Sequence, residues 1–355
     1  MNTKDYFKQT LDMQLFADVT NTTLSNTTGN NLSAEMKTFY DKVLLREAGP
    51  NLVHDQFGQK RNIPKGSGKT IEFRKFNQLP KALTALTEGV TPDGGALDVT
   101  SLTATVSQYG YFVRVSDVLD LTAIDNVIVE ATQLLGAQAG VTMDTVVRNV
   151  LAAGSNVLFC PTVSSGTETA VSQRKNMDTT SQLTVKMIQK AVATLKKNNV
   201  PTINGDYVAI IHPYVAYDLM RDPEWVDAHK YAQPENLYTG EIGKVAGVRF
   251  VESTEAKVWN DSDCPQKSAA SGSNPATYYG VFSTLVLGKN AYGVTEVEGG
   301  GLQTIIKPLG SGEDPLNQRS TVGWKGIRTA KILLEQNMVR IESVSAEWSG
   351  SVQAN

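Results

Sequence analysis

The chain has 355 residues, 41% of them hydrophobic, with 33 Lys and Arg against 36 Asp and Glu and a formal net charge of −3. That length suggests about two domains, or one with insertions, and enough apolar content for a sizeable core. The charge argues against a surface given over to neutralising phosphates, and no stretch approaches the ~20 apolar residues of a membrane helix.

Residues 1–18 contain no uninterrupted apolar run, so no signal peptide is expected. Residues 18–33 are Asn- and Thr-rich and read as a flexible arm. Ser33 is a plausible cap for a helix through Tyr40 and Leu45, ended by Gly49-Pro50. Residues 59–75 are basic, holding Lys60, Arg61, Lys65, Lys69, Arg74 and Lys75 against Glu72.

Residues 70–116 form the most informative stretch. Ile71 and Phe73 alternate with Glu72 and Arg74; Leu102, Ala104 and Val106 alternate with Thr103, Thr105 and Ser107. This period of two predicts two strands, with Thr91-Pro92-Asp93-Gly94-Gly95 as the turn region between them. The apolar face changes near residues 108–110, beside a glycine, which suggests a bulge or a sharp twist. A long two-stranded ribbon is marginal alone, and its open edges invite another chain. The expectation is an arm that lies on a neighbouring copy through Lys69, Ile71, Phe73, Arg74, Phe76, Leu102 and Val106.

A helical pattern over 123–153 predicts a spine of about 45 Å. Ile124, Val127, Ile128, Ala131, Leu134 and Leu135 are assigned to one face, and Gly136 and Gly140 allow a close backbone approach. Residues 155–182 read as a connection. A second helix is expected over 185–197, a buried strand over 207–211, a short helix after His212-Pro213, and another helix from Asp222-Pro223-Glu224. A strand ending at Val251 follows, then a Ser-, Pro- and Asn-rich insertion over 256–276 read as a surface loop. Strands are expected over 278–288 and much of 302–344.

Few motifs carry chemistry. The run Lys65-Gly66-Ser67-Gly68-Lys69-Thr70 resembles a phosphate loop, but Ile63 stands where a glycine is needed and a strand pattern follows where a helix is needed. His54, His212 and His229 make no close pair, so no zinc site is expected. Asp222, Glu224, Asp227 and His229 read as a solvated helix face, and Glu313-Asp314 as an acidic turn. Cys160 and Cys264 are too few for a disulfide framework and read as free thiols. No catalytic residue, cofactor site or metal site is assigned.

The order of parts resembles the major capsid proteins of tailed bacteriophages with the Hong Kong 97-like α+β fold. The segment GEIGKVAGVRFVES (240–253) is similar to one common in these shells. GKNAYG (288–293), DPLNQR (314–319) and TVGWK (321–325) resemble the branch typified by phage N-four, as do LREAGP (45–50) and GKTIEFR (68–74). The resemblance implies an N-terminal arm and first helix over 1–60 and an extended β-hairpin loop over 61–115. It further implies a peripheral domain with the spine helix over 116–181, an axial domain over 182–300, and C-terminal strands over 301–355. It implies a structural, non-enzymatic subunit of the virion, assembled in the bacterial cytoplasm as pentamers and hexamers around double-stranded DNA, with portal, scaffolding or decoration proteins as partners. A nanocompartment shell enclosing an enzyme cargo is the alternative within the same fold; an enzyme built on the Gly-Ser-Gly-Lys-Thr loop is the alternative outside it.

Overall fold

The computed structural model describes residues 42–48, 52–76, 79, 81–86, 88–89, 91, 94–122, 127–232, 243–269, 276–309 and 316–355. The Asn/Thr-rich arm, the Ser33 cap, Pro92-Asp93 and Glu313-Asp314 lie outside them. The chain divides into two compact units, one of residues 1–49, 110–139 and 302–325, the other of residues 50–109, 140–301 and 326–355.

The larger unit is built on a seven-stranded mixed sheet. Its order is Val157–Phe159, Met338–Val344, Val281–Leu287, Tyr207–Ile211, Val248–Glu252 and Lys244–Val245, with Val258–Trp259 beside the start of Val281–Leu287. Every residue of Tyr207–Ile211, Val281–Leu287 and Met338–Val344 is buried. Burial on both faces explains the continuous apolar run of Tyr207–Ile211, whereas Val281–Leu287 carries buried Ser283 and Thr284 and Met338–Val344 carries buried Arg340, Glu342 and Ser343. The helix Val185–Lys197 buries Ile188, Ala191, Val192 and Leu195 in the same core. The helix Pro213–Met220 follows the central strand directly, and Asp222 opens the helix Pro223–Ala232. The Asp222 carboxylate accepts from the backbone of Glu224 at 3.0 Å and of Val185 at 2.8 Å, so one side chain serves two helix starts. It is a cap, as its short polar side chain suits.

Two segments are more structured than expected. The 155–182 connection carries three short strands and a 3-10 turn, Arg174–Asn176. Arg174 forks onto the fully buried carboxylate of Glu342 at 2.7 and 2.8 Å, while its guanidinium lies 3.8 Å from the centre of the Trp259 ring. Arg340 donates to the same carboxylate at 3.0 Å. The 256–276 insertion is not simply a surface loop. Ala256, Val258 and Cys264 are buried and anchor it to the core.

In the smaller unit the residues 42–48 are helical, and a Cβ on Gly136 would meet the Leu44 carbonyl at 3.0 Å. The glycine therefore allows the close approach expected of it. The strand Ser107–Ser116 pairs with the strand Arg319–Ile332, whose first half also pairs with Gln303–Lys307. A Cβ on Gly110 would stand 2.7 Å from the Trp324 carbonyl, and one on Gly323 2.7 Å from Phe112, so both glycines are needed for contact.

The long helix is Val127–Ala152, 26 residues and about 39 Å, preceded by a separate helix Asp117–Thr122. Its described part is shorter than the predicted spine, and Leu134 is 73% exposed rather than on the buried face. The buried line is Ala131, Leu135, Ala139, Met143, Val147 and Leu151, a strict step of four.

Candidate assembly surface

Thr70–Phe76 pairs antiparallel with Val99–Thr105 in unbroken register, from Thr70 opposite Thr105, through Phe73 opposite Leu102, to Phe76 opposite Val99. This is the predicted ribbon, and no third strand joins it among the described residues. Strand edges left open in this way can pair with another chain. The arm does not run on through a bulge at 108–110. The break comes at Val106, whose amide donates to the Lys69 carbonyl at 2.9 Å and closes the base of the ladder.

The root of the ribbon is fixed by its own unit. His54 lies wholly buried, its amide donating to Asp144 at 2.7 Å and its Nδ1 lying 2.6 Å from the other carboxylate oxygen. The Tyr292 hydroxyl donates to the His54 carbonyl. Asp55 binds Arg328 at 3.0 Å and Lys60 at 3.2 Å. These bonds hold the strand Gln59–Ile63 parallel against Tyr292–Val297, with Gln59 opposite Gly293. Phe73 then packs on the backbone of Gly293, where a Cβ would come within 2.8 Å of two ring carbons. The Arg61 guanidinium sits 5.6 Å from the centre of the same ring.

Burial sorts the residues expected to face another copy. Phe73 and Val106 are buried within their own chain and seat the ribbon on its parent unit; Ile71 and Leu102 are half-buried. Lys69 and Arg74 are exposed. The Phe76 side chain lies outside what the structure describes. The register puts Ile71, Phe73, Leu102 and Ala104 on one face, which meets the body at the root, and Arg74 on the other.

The residues that sequence reading missed lie at the end of the ladder and beyond it. Leu83 is 86% exposed and Leu86 77%, with Leu79, Leu97 and Val99 also exposed. Five exposed aliphatics within the one stretch 79–99 are candidates for contact with another molecule. Leucines inside the segment joining two strands were the available signal. The smaller unit carries a second exposed apolar set, with Tyr111, Phe112, Val118, Leu119 and Leu121.

Beside the ribbon root is a cleft of about 240 Å³ whose lining includes Arg61, Phe73, Arg74, Lys75, Leu102 and Leu333. The Gly-Ser-Gly-Lys-Thr run lies at the foot of the ribbon. Gly66 and Gly68 have φ of 86° and 89°, and the chain enters the strand Thr70–Phe76 directly. With no helix N-terminus there, the geometry that cradles a nucleotide phosphate is missing. Among the described residues no group of three or more His, Cys, Asp or Glu could hold a metal ion. Both cysteines are buried and unbridged, and burial pushes the Cys264 thiol up to about 11 and that of Cys160 higher still. Such thiols are poor nucleophiles.

A family model described as phage capsid protein matches residues 114–309. No curated protein matches the sequence. Among solved structures, the capsid of cyanophage P-SCSP1u is 17% identical, covering 83% of this chain and 88% of its own, with a TM-score of 0.60. The capsid of cyanophage Pam1 is 15% identical, covering 92% and 100%, at 0.59. The mature capsid of bacteriophage PhiM1 is 15% identical, covering 82% and 86%, at 0.55. At these identities the likeness establishes the α+β, Hong Kong 97-like fold.

Proposed function

Because this chain belongs to the phage capsid protein family, with a structural rather than enzymatic role in the virion capsid, we propose that its copies assemble as pentamers and hexamers into an icosahedral head around double-stranded DNA. The family match favours the phage head over a nanocompartment. The ribbon carries this reading. It is rooted on its own unit yet ends in exposed leucines that find no cover in that unit.

Each aliphatic side chain covered by a neighbour contributes roughly 1.5–3 kcal/mol. Association costs remove much of that at any single contact. A shell subunit touches several neighbours at once, so modest contacts accumulate. Two different patches meeting head to tail close into rings when the rotation allows. In this reading residues 61–115 form the extended loop and 182–300 the axial domain near the local symmetry axes. Lys69, Ile71, Arg74, Phe76 and Leu102 border the neighbour, while Phe73 and Val106 support the contact from beneath. A charge near zero suits a container filled by a motor rather than by charge neutralisation. The head is assembled in the host cytoplasm, with portal, scaffolding or decoration proteins as accessory partners.

The test is negative-stain electron microscopy of the purified protein, with sedimentation across a range of concentrations. Closed shells of uniform diameter are expected. A protein that stays monomeric at every concentration, with and without co-expressed accessory genes, sinks the reading.

A further inference from the structure

We propose, resting on the shell reading above, that the ribbon tip of one copy seats in the basic cleft at the ribbon root of the next. Glu88 then faces Arg74 and Lys75, and Leu86 enters the cleft. Charge is segregated along the ribbon. The root holds Lys60, Arg61, Lys65, Lys69, Arg74 and Lys75 against Glu72 alone, whereas the charged residues between 76 and 98 are Lys81, Glu88, Asp93 and Asp98. The cleft repeats this asymmetry on a smaller scale. Arg61, Arg74 and Lys75 line it beside the apolar Phe73, Leu102 and Leu333, and no acidic side chain is part of its wall. Glu72 approaches Arg74 only at 3.6 Å, on an exposed edge. At about 240 Å³ the space falls below the ~300 Å³ at which small-molecule pockets begin, and suits a protein side chain.

The tip supplies the complement. Leu83 and Leu86 are more than three-quarters exposed, so neither occupies the cleft of its own chain. The ladder from Thr70–Thr105 to Phe76–Val99 keeps the two arms extended, and a return to the root would require the ribbon to fold onto itself. From Phe73 to Glu88 the chain can span at most about 50 Å, enough to reach a sister molecule. An acidic, leucine-bearing tip and a basic cleft with apolar walls are different patches, so their contact runs head to tail around a ring. Opposite charges set the register of such a contact and like charges penalise a wrong one.

Leu86→Cys and Leu102→Cys in one chain test the placement, since both native cysteines are buried. After assembly and mild oxidation, the double variant should give a ladder of covalently joined chains on a non-reducing gel, and either single variant only monomer. Glu88→Lys or Lys75→Glu alone should raise the concentration needed for assembly about tenfold, and the two together should return it to within about twofold of the parent. Circular dichroism melts of the unassembled variants should overlay. Normal shells from the double-cysteine variant with no ladder, or a charge swap no better than either single change, overturns the docking while leaving the shell reading intact. Failure of the parent chain to form shells overturns both.

Discussion

His212 sits where the central strand Tyr207–Ile211 turns into the helix Pro213–Met220, and its Nδ1 accepts from the Tyr214 amide at 3.2 Å. Only a neutral ring can accept there. Burial lowers its pKa from 6.5 to about 4, in the same direction. The folded pKa is depressed, so the unfolded chain binds the extra proton between pH 6.5 and about 4. The contribution is complete above pH 6.5 and is lost as pH falls through that window. His212→Asn should keep the cap and flatten the fall in thermal midpoint between pH 7 and 4; a variant with the parent's full pH dependence would place the titration elsewhere. The His-Pro turn was readable from sequence, whereas the neutral ring depends on the packing of Tyr214 and Phe282 against it. Gly293 is a similar case. Nothing in GKNAYG announces that Phe73, more than two hundred positions earlier, will press against that backbone.

At the scale of elements, local pattern worked best for a helix with a single apolar stripe and for a strand buried along its whole length. The helix Val185–Lys197 and the strand Tyr207–Ile211 have the expected bounds. The long helix went differently. Its buried row from Ala131 to Leu151 steps by four, which drifts about 40° around the axis at each step. A second buried row, with Thr132, Asp144 and Arg148, runs beside it and is polar because Asp144 meets His54 and Arg148 donates to the Glu255 carbonyl at 2.9 Å. A hydrophobic stripe read without those partners misplaces Leu134. Leu135→Ala should destabilise the subunit by about 2–4 kcal/mol in chemical denaturation, while Leu134→Ala should stay within about 0.5 kcal/mol. Equal losses at the two positions would contradict the winding stripe.

For the molecule as a whole, the ribbon separates folding from assembly. Its ladder ends at Phe76 and Val99, so replacing residues 78–97 by Asn-Gly should leave that pairing intact on a two-residue turn. We expect a soluble subunit with a thermal midpoint close to the parent's and no closed shells in micrographs. Intact shells from this variant would remove the ribbon from the assembly mechanism.

The sequence alone was enough to read a two-stranded ribbon, a long helix and a buried strand over 207–211 after it, and a Gly-Ser-Gly-Lys-Thr run that leads into a strand rather than a helix. Each of these rests on periodicity or on backbone chemistry local to the segment. Which face of the ribbon meets its own body, why Phe73 and Val106 are covered while Leu83 and Leu86 are not, and how the 256–276 insertion is pinned by Cys264 were decided only by tertiary structure. Burial is a property of what lies opposite a side chain, and here the opposing residues come from positions hundreds of residues away.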